Sequence, residues 1–170
     1  ENARKAASLI KANVTQLEAT VTIEQAMSRE SFLDEPLEII TGDAEAAINT
    51  AKNNLSGSLS IGGQEHYYLE GQVALAIPTE DNEMVVYSST QNPTEVQHLV
   101  AHVLNVPHNA IEVITRRMGG GFGGKETDSS QLACICAVFA QQTLKPVKSR
   151  LSRRDDILMT GKRHDFVVNY

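Results

Sequence analysis

The sequence predicts an α+β (mixed α/β) fold in which a mixed β-sheet packs against helices. One observation is a series of short strand-like runs between residues 55 and 88, and the first of them, 55–61, alternates apolar and polar side chains. Strands at such close spacing favour an antiparallel or mixed sheet. The second observation is a pair of longer segments, 93–104 and about 127–143, whose apolar side chains recur every three or four residues and so form one helix face.

The first third of the chain is predicted to hold three helices, one short strand and a linker. Asp43 precedes the third helix as a candidate N-cap, and Glu45 favours the positive end of that helix. The composition changes at the linker, which indicates a domain boundary near residue 35. In chain order the elements are a helix at 3–12, a helix at 22–27, the linker 31–36, a strand at 37–41 and a helix at 44–52.

The remainder alternates strands with two long helices. Pro93 suits the first turn of a helix, where its missing N–H is no loss, and Lys145-Pro146 ends the second long helix. Ser152 is the candidate N-cap of a final short helix. The predicted strands are 55–61, 64–70, 72–78, 83–88, 111–115, 147–151 and one beginning at 166.

Bulk composition excludes several classes of partner and compartment. The 170 residues are 41% hydrophobic and 21% charged, as in ordinary globular proteins. A net charge of −6 argues against nucleic acid as a partner, and no apolar run is long enough to cross a membrane. Cys134 and Cys136 point to different sides of one helix, so we expect free thiols in a reducing, cytoplasmic location.

A glycine-rich loop lies between the predicted strand 111–115 and the long helix after it. Five of the eleven glycines fall within residues 119–124. Each would cost about 0.5–1 kcal/mol relative to alanine inside a helix or strand, so their concentration indicates a backbone that approaches a ligand closely. Glycines ahead of a helix also expose N–H groups that attract anions. A flexible connector is the alternative, but connectors are usually polar and serine-rich, whereas Phe122, Lys125 and Glu126 stand here.

The loop also matches a dinucleotide-binding pattern in a formal sense. Gly119, Gly121 and Gly124 have the GxGxxG spacing between a strand and a helix. However, three residues separate the strand from the first glycine, and the acid expected about 20 residues later is missing. An NAD(P)-binding module therefore stays a second hypothesis, which a parallel sheet with helices on both faces would favour.

Four ordered motifs carry a more specific likeness. They are IGGQEHYYLE at 61–70, STQN at 89–92, RM followed by GGGFGGKE at 117–126, and DDILMTG with a following RH at 155–164. Together they resemble the molybdenum-binding subunit of xanthine dehydrogenases, in the xanthine oxidase/aldehyde oxidase superfamily. That subunit is several hundred residues long, so we expect the chain to be an internal piece. The likeness implies that 1–35 end a small hammerhead-like domain and that 36–170 begin the molybdopterin-binding domain.

The resemblance assigns cofactor contacts to Gln91 and to the loop. It implies that Gln91 and the main chain around Phe122, with Gly121 and Gly123, donate hydrogen bonds to the oxo group of a molybdenum-molybdopterin cofactor. These residues would meet the metal through that oxo group and would not be direct side-chain ligands. An amide suits Gln91's task because it donates without bringing a charge. Judged by position alone, Gln91 is a turn residue and Phe122 a core residue; Gln64, in the first motif, is expected to give structural support only.

Glu126 is the expected substrate-binding residue. In xanthine dehydrogenases the matching glutamate binds the purine, whereas related aldehyde oxidases carry an apolar residue there, so the sequence GGKE favours purine as substrate. Without the resemblance, Glu126 is an ordinary acid at a helix start. An aldehyde oxidase-type molybdenum hydroxylase remains the alternative.

The resemblance further implies an oxidoreductase that hydroxylates hypoxanthine and xanthine to urate. Electrons would pass through [2Fe-2S] clusters and FAD, held in other domains or a partner subunit, to NAD. The general base of that reaction has no counterpart here, so no catalytic residue is expected within residues 1–170. The isolated chain is therefore expected to be inactive, as a supporting module that needs the rest of the molybdenum subunit and an Fe-S/FAD subunit.

Overall fold

The computed structural model describes all residues, 1–170, and contains six helices and six strands. No helix is long and apolar enough to cross a membrane. The helices are α1 (Asn2–Leu9), α2 (Ile23–Ser28), α3 (Ala44–Thr50), α4 (Pro93–Leu104), α5 (Ser129–Thr143) and α6 (Arg153–Met159). The strands are β1 (Ser58–Ile61), β2 (Val73–Pro78), β3 (Met84–Ser88), β4 (Ile111–Ile114), β5 (Val147–Arg150) and β6 (Phe166–Asn169).

The chain divides into two compact units, Glu1–Ser60 with Phe166–Tyr170 and Ile61–Asp165. The first unit contains α1 to α3 and most of a two-stranded sheet of β1 and β6, beside which Gly57 and Tyr170 exchange two backbone hydrogen bonds. None of its side chains is buried, so it forms no apolar core of its own. The domain boundary expected near residue 35 stays a prediction.

The second unit is built on a four-stranded sheet with the order β4-β3-β2-β5. β2 runs antiparallel to both β3 and β5, while β3 and β4 are parallel and are joined by α4. The sheet is therefore mixed, and the α+β prediction is confirmed. The mixed sheet also counts against the dinucleotide-binding hypothesis, which requires parallel strands.

α4 and α5 pack on one face of this sheet. The side chains of β2 alternate, so Ala74 and Ala76 are buried under the helices while Val73 and Leu75 are half-buried on the other face. Short side chains on β2 let the helices approach the sheet closely. The core joins small and branched apolar residues from both helices and three strands: Ala74, Ala76, Met84, Val86, Val96, Val100, Ala101, Leu104, Ile111, Leu132, Ala133, Cys136, Ala137 and Ala140.

The predicted bounds of helices agree best with the structure where the sequence holds clear capping residues. α4 spans the predicted residues because the Asn92 side chain caps its start, accepting from the Glu95 N–H at 3.2 Å. At its other end Asn105 adopts a left-handed conformation. α5 begins at Ser129, two residues later than expected.

Two predicted strands are wrong. Residues 37–41 form no strand. In 64–70 only Gln64 pairs, in an isolated bridge with Arg163, and Tyr67 then takes a positive φ of 49°. These residues do not continue a strand ladder, and Glu70 instead donates its N–H to the glycine loop, at Gly119 O. This segment supports the loop and adds no strand to the sheet.

Candidate functional site

The glycine loop has a compact backbone conformation that glycine adopts more easily than other residues. Gly120 and Gly123 have positive φ of 96° and 86°, and Phe122 between them has 54°. Glycine adopts this left-handed region at little cost. Gly124 N–H donates to Gly121 O at 2.8 Å and closes the turn. The N–H groups of Gly120, Gly121 and Phe122 donate to no acceptor within the chain, so three consecutive donors have no partner in the protein.

The side chain of Gln91 is fixed by the loop through its oxygen. Gln91 Oε1 accepts from Gly123 N at 3.0 Å and from Lys125 N at 3.3 Å, and the Gln91 N–H donates to Lys125 O at 2.8 Å. Two N–H donors require that the amide oxygen, and not the nitrogen, faces them. The NH₂ group of this exposed side chain is therefore left as a free donor.

Gly121 makes room for the Gln91 amide. A Cβ at Gly121 would lie 2.5 Å from Gln91 Oε1 and 2.7 Å from its Cδ. The STQN segment and the loop thus form one unit in which Gln91 lies beside Gly121 and Gly123, while the cofactor contacts expected of these residues and of Phe122 stay a prediction. Gly123 has a distinct part in it, because its N–H already donates to Gln91. The Phe122 ring is 75% exposed and does not pack in the core.

Glu126 lies after the loop with its carboxylate unengaged. The side chain is exposed and takes part in no hydrogen bond or ion pair within the chain. α5 begins three residues later, and its N-cap is Asp128, whose carboxylate accepts from Gly161 N at 2.8 Å. The local geometry therefore gives Glu126 no structural task at the helix start.

An ion pair between buried Lys125 and half-buried Glu70 supports the loop, and the sequence did not predict it. Lys125 is fully buried; its Nζ donates to Ser89 Oγ at 2.7 Å and to Glu70 Oε2 at 3.2 Å. The ammonium also lies 4.6 Å from the centroid of the Tyr68 ring. Glu70 holds the start of the loop, since Oε2 accepts from Gly119 N at 2.9 Å and Glu70 N donates to Gly119 O at 3.0 Å.

The pKa shifts of Lys125 and Glu70 indicate that burial costs these two charged groups different amounts of free energy. Burial lowers the pKa of Lys125, although Glu70 opposes the shift. Burial raises the pKa of Glu70, but hydrogen bonds from Ser89, Gly119 and Lys125 outweigh it and hold that pKa below its usual value. The carboxylate keeps partial access to water and collects three donors, whereas the ammonium has lost its water entirely. Desolvation of Lys125 is thus the main cost of the pair.

A second buried cluster joins α6 to the loop. Tyr68 OH donates to Asp156 Oδ1 at 2.6 Å, and Gln72 N donates to Asp156 Oδ2 at 2.8 Å. Gln72 Nε2 donates to Tyr68 OH at 3.0 Å and to Gly124 O at 3.1 Å. Asp156 lies in the first turn of α6, as expected of a helix-start acid, but it is buried. No local signal marks Tyr68 or Asp156 as buried, because the two partners lie 88 positions apart in the sequence.

This cluster predicts a loss of stability at alkaline pH. Burial and the hydrogen bond to Asp156 raise the pKa of Tyr68 from 10.0 to about 12. The folded state therefore retains a proton that the unfolded chain releases, so stability falls as the pH rises from 10.0 toward about 12. When the unfolding midpoint is plotted against pH, the part of this decrease that comes from the Tyr68 proton should be missing in Tyr68→Phe.

The measurement is thermal unfolding of full-length protein across this alkaline range, with the exposed Tyr67→Phe as matched control. Curves of equal slope for wild type and Tyr68→Phe would contradict the assignment.

Comparison with known proteins identifies relatives. A family model described as the molybdopterin cofactor-binding domain matches residues 24–170. Over 171 residues the chain is 43% identical to the xanthine dehydrogenase/oxidase of Felis catus, covering 100% of the chain and 13% of that protein. Identity is 46% to the xanthine dehydrogenase of Emericella nidulans, covering 99% of the chain and 12% of that protein. It is 42% to aldehyde oxidase 4 of Cavia porcellus, covering 99% of the chain and 13% of that protein.

Solved structures share the fold. The aldehyde oxidoreductase of Desulfovibrio gigas superposes with a TM-score of 0.81 at 22% identity, over 99% of the chain and 19% of that protein. The quinoline 2-oxidoreductase of Pseudomonas putida 86 has a TM-score of 0.74 at 21% identity, over 94% of the chain and 21% of that protein. The chain thus spans only about an eighth of the length of its curated relatives.

Proposed function

The chain belongs to the molybdopterin cofactor-binding domain family, and from this premise we propose that it is part of the molybdenum subunit of a molybdenum hydroxylase. The observation that carries the proposal is the orientation of Gln91. Its amide oxygen is held by two loop N–H groups, so its NH₂ group remains a free donor in the unit that carries the free N–H groups of Gly121 and Phe122.

These donors fit the chemistry of the cofactor. A molybdenum-pterin group carries oxo and phosphate oxygens, which need hydrogen-bond donors that do not rearrange, and backbone N–H groups meet that need. No cluster of three or more His, Cys, Asp or Glu side chains exists here to hold a metal ion directly. This suits a metal that is coordinated by the sulfurs of its own cofactor.

The contacts within the loop support a separate role for each of its groups. When bound, the cofactor would supply the redox and oxygen-transfer chemistry. Gln91 would donate to a cofactor oxygen through its NH₂ group, Gly121 and Phe122 would donate through their backbone, and Gly123 would keep Gln91 oriented. Because Gln91 has no net charge, it stabilises negative charge on that oxygen without neutralising it. The general base and the iron–sulfur and flavin groups would come from other parts of the protein or a partner subunit.

For the substrate we propose a purine, hypoxanthine or xanthine, with Glu126 as the group that binds it. The support is the unengaged carboxylate of Glu126, together with the GGKE motif. An aldehyde oxidase-type enzyme is the second candidate, because the relatives at similar identity include both kinds of protein. Electron transfer through [2Fe-2S] and FAD to NAD, a cytoplasmic location and the boundary between 1–35 and 36–170 complete the proposal.

Full-length protein made in a host that synthesises the cofactor tests this function. We expect molybdenum and pterin in equal amounts, with turnover of hypoxanthine and xanthine. Turnover of small aldehydes with none of either purine would favour the second candidate. A protein that never carries molybdenum or pterin would overturn the proposal.

A further inference from the structure

We propose that Lys125 is a positioning residue whose buried ammonium sets the backbone of the glycine loop, so that its free N–H groups are preformed for their ligand. The inference rests on the proposed function for the identity of that ligand and adds a residue to the same site. Lys125 itself is fully buried, and its side chain acts through the groups that it contacts.

Lys125 connects the loop to three consecutive residues of the STQN segment. Its Nζ donates to Ser89 Oγ at 2.7 Å. Its carbonyl oxygen accepts from Thr90 Oγ1 at 3.1 Å and from Gln91 N at 2.8 Å. The same carbonyl accepts from Ser129 Oγ at 3.3 Å, in the first turn of α5. One residue thus fixes the end of the loop against two neighbouring elements.

The other end of the loop is fixed through Glu70. The ammonium holds Glu70 Oε2 at 3.2 Å, and Glu70 holds both the N–H and the carbonyl of Gly119. Gly119 is therefore anchored by Glu70, whose carboxylate the Lys125 side chain holds, while Gly123 and Lys125 are anchored by Gln91. The free N–H groups of residues 120–122 lie between these two anchored ends.

The chemistry of the Lys125–Glu70 pair favours a role in positioning the glycine loop over a role in stabilising the fold. Burial lowers the pKa of Lys125 because the ammonium has lost its water, so a methionine of similar length would fill the space at lower cost. What methionine cannot do is hold Ser89, Glu70 and, through Glu70, Gly119 in one arrangement. A network in which every member is satisfied specifies a single geometry.

The test compares Lys125→Met with the double variant Lys125→Met/Glu70→Gln and with a matched control, Lys145→Met. Lys145 is exposed, so the control makes the same chemical change outside the network. The double variant removes both charges and leaves no unpaired, half-buried carboxylate at Glu70, so it should recover thermal stability that the single variant loses.

Hydrogen exchange of peptides covering 117–126, in full-length protein prepared without cofactor, is the deciding readout. We expect exchange about tenfold faster in both Lys125 variants, with α4 and the control unchanged. In loaded protein, kcat should fall by a similar factor for a purine and for an aldehyde, since the change affects the donors and not the substrate contact.

Unchanged loop exchange in the stable double variant would overturn the proposal and leave the molybdenum function standing. Faster hydrogen exchange of the loop in the Lys125 variants of a protein that never carries molybdenum would support the positioning role of Lys125 and contradict the proposed function. If Lys125→Met fails to fold, the double variant decides alone.

Discussion

Replacing Gly121 with alanine is expected to lower kcat of the loaded full-length protein about 100-fold for every substrate, as the loss of one preorganised donor does in other enzymes. The added Cβ would lie 2.5 Å from Gln91 Oε1 and 3.0 Å from its Cγ, so the Gln91 side chain has to move. Gln91 would then lose its bonds to the N–H groups of Gly123 and Lys125 and turn its NH₂ group away from the cofactor.

The thermal stability of Gly121→Ala should fall only modestly, by about 1–3 kcal/mol, because two loop N–H groups lose their acceptor while the displaced group is the end of an exposed side chain and Gly121 has no positive φ. Gly62→Ala is the matched control: its Cβ would meet nothing within 4 Å, and its rate should equal that of wild type. Rates are compared at equal molybdenum content. Full activity in Gly121→Ala would show that the reaction does not need the loop to orient the Gln91 side chain.

Glu126→Gln is expected to reduce kcat/KM for hypoxanthine or xanthine by about one to two decades. A lost charge-assisted hydrogen bond is worth roughly 1.5–3 kcal/mol, and each 1.36 kcal/mol corresponds to about tenfold in rate. A small aldehyde that does not reach the carboxylate should lose much less. Stability should stay constant, because Glu126 makes no hydrogen bond or ion pair within the chain.

Glu112→Gln supplies the control, since this exposed acid on β4 undergoes the same change away from the loop. The measurement is kcat/KM for one purine and one aldehyde, with molybdenum content held equal. Equal losses for both substrates would remove the purine assignment, because Glu126 would then affect the site generally and not the bound purine.

Local signals made much of the fold predictable from sequence. The bounds of α4 follow from an Asn cap, a first-turn proline and a left-handed Asn105, all within or beside one segment. The loop and its partner Gln91 followed from two motifs, and the structure joins these motifs by hydrogen bonds between residues 32 and 34 positions apart. Glycine content indicated a close approach, which the short distance from Gly121 to Gln91 explains.

The residues that support the loop were not predictable in the same way. Lys125 bonds to Glu70 across 55 positions, and Tyr68 bonds to Asp156 across 88. Charged side chains are usually exposed, so the sequence alone places Lys125 and Asp156 in water, and only tertiary pairing reverses that expectation. The segment 64–70 is not a strand for the same reason, because Gln64, Tyr68 and Glu70 pair with Arg163, Asp156 and the glycine loop, all distant in sequence.

We propose that Gln91 and the glycine loop hold the molybdenum group, and crystals of the loaded full-length protein test this placement. An anomalous difference map at the molybdenum edge gives the metal position without any assumption about activity. If the Gln91 NH₂ group donates to an oxygen of the metal, the peak should lie within about 5 Å of Gln91 Nε2, one hydrogen bond plus one metal–oxygen bond. A molybdenum peak beyond about 10 Å from both Gln91 and Phe122, too far for any hydrogen bond to a metal-bound oxygen, would show that these residues do not hold the metal group.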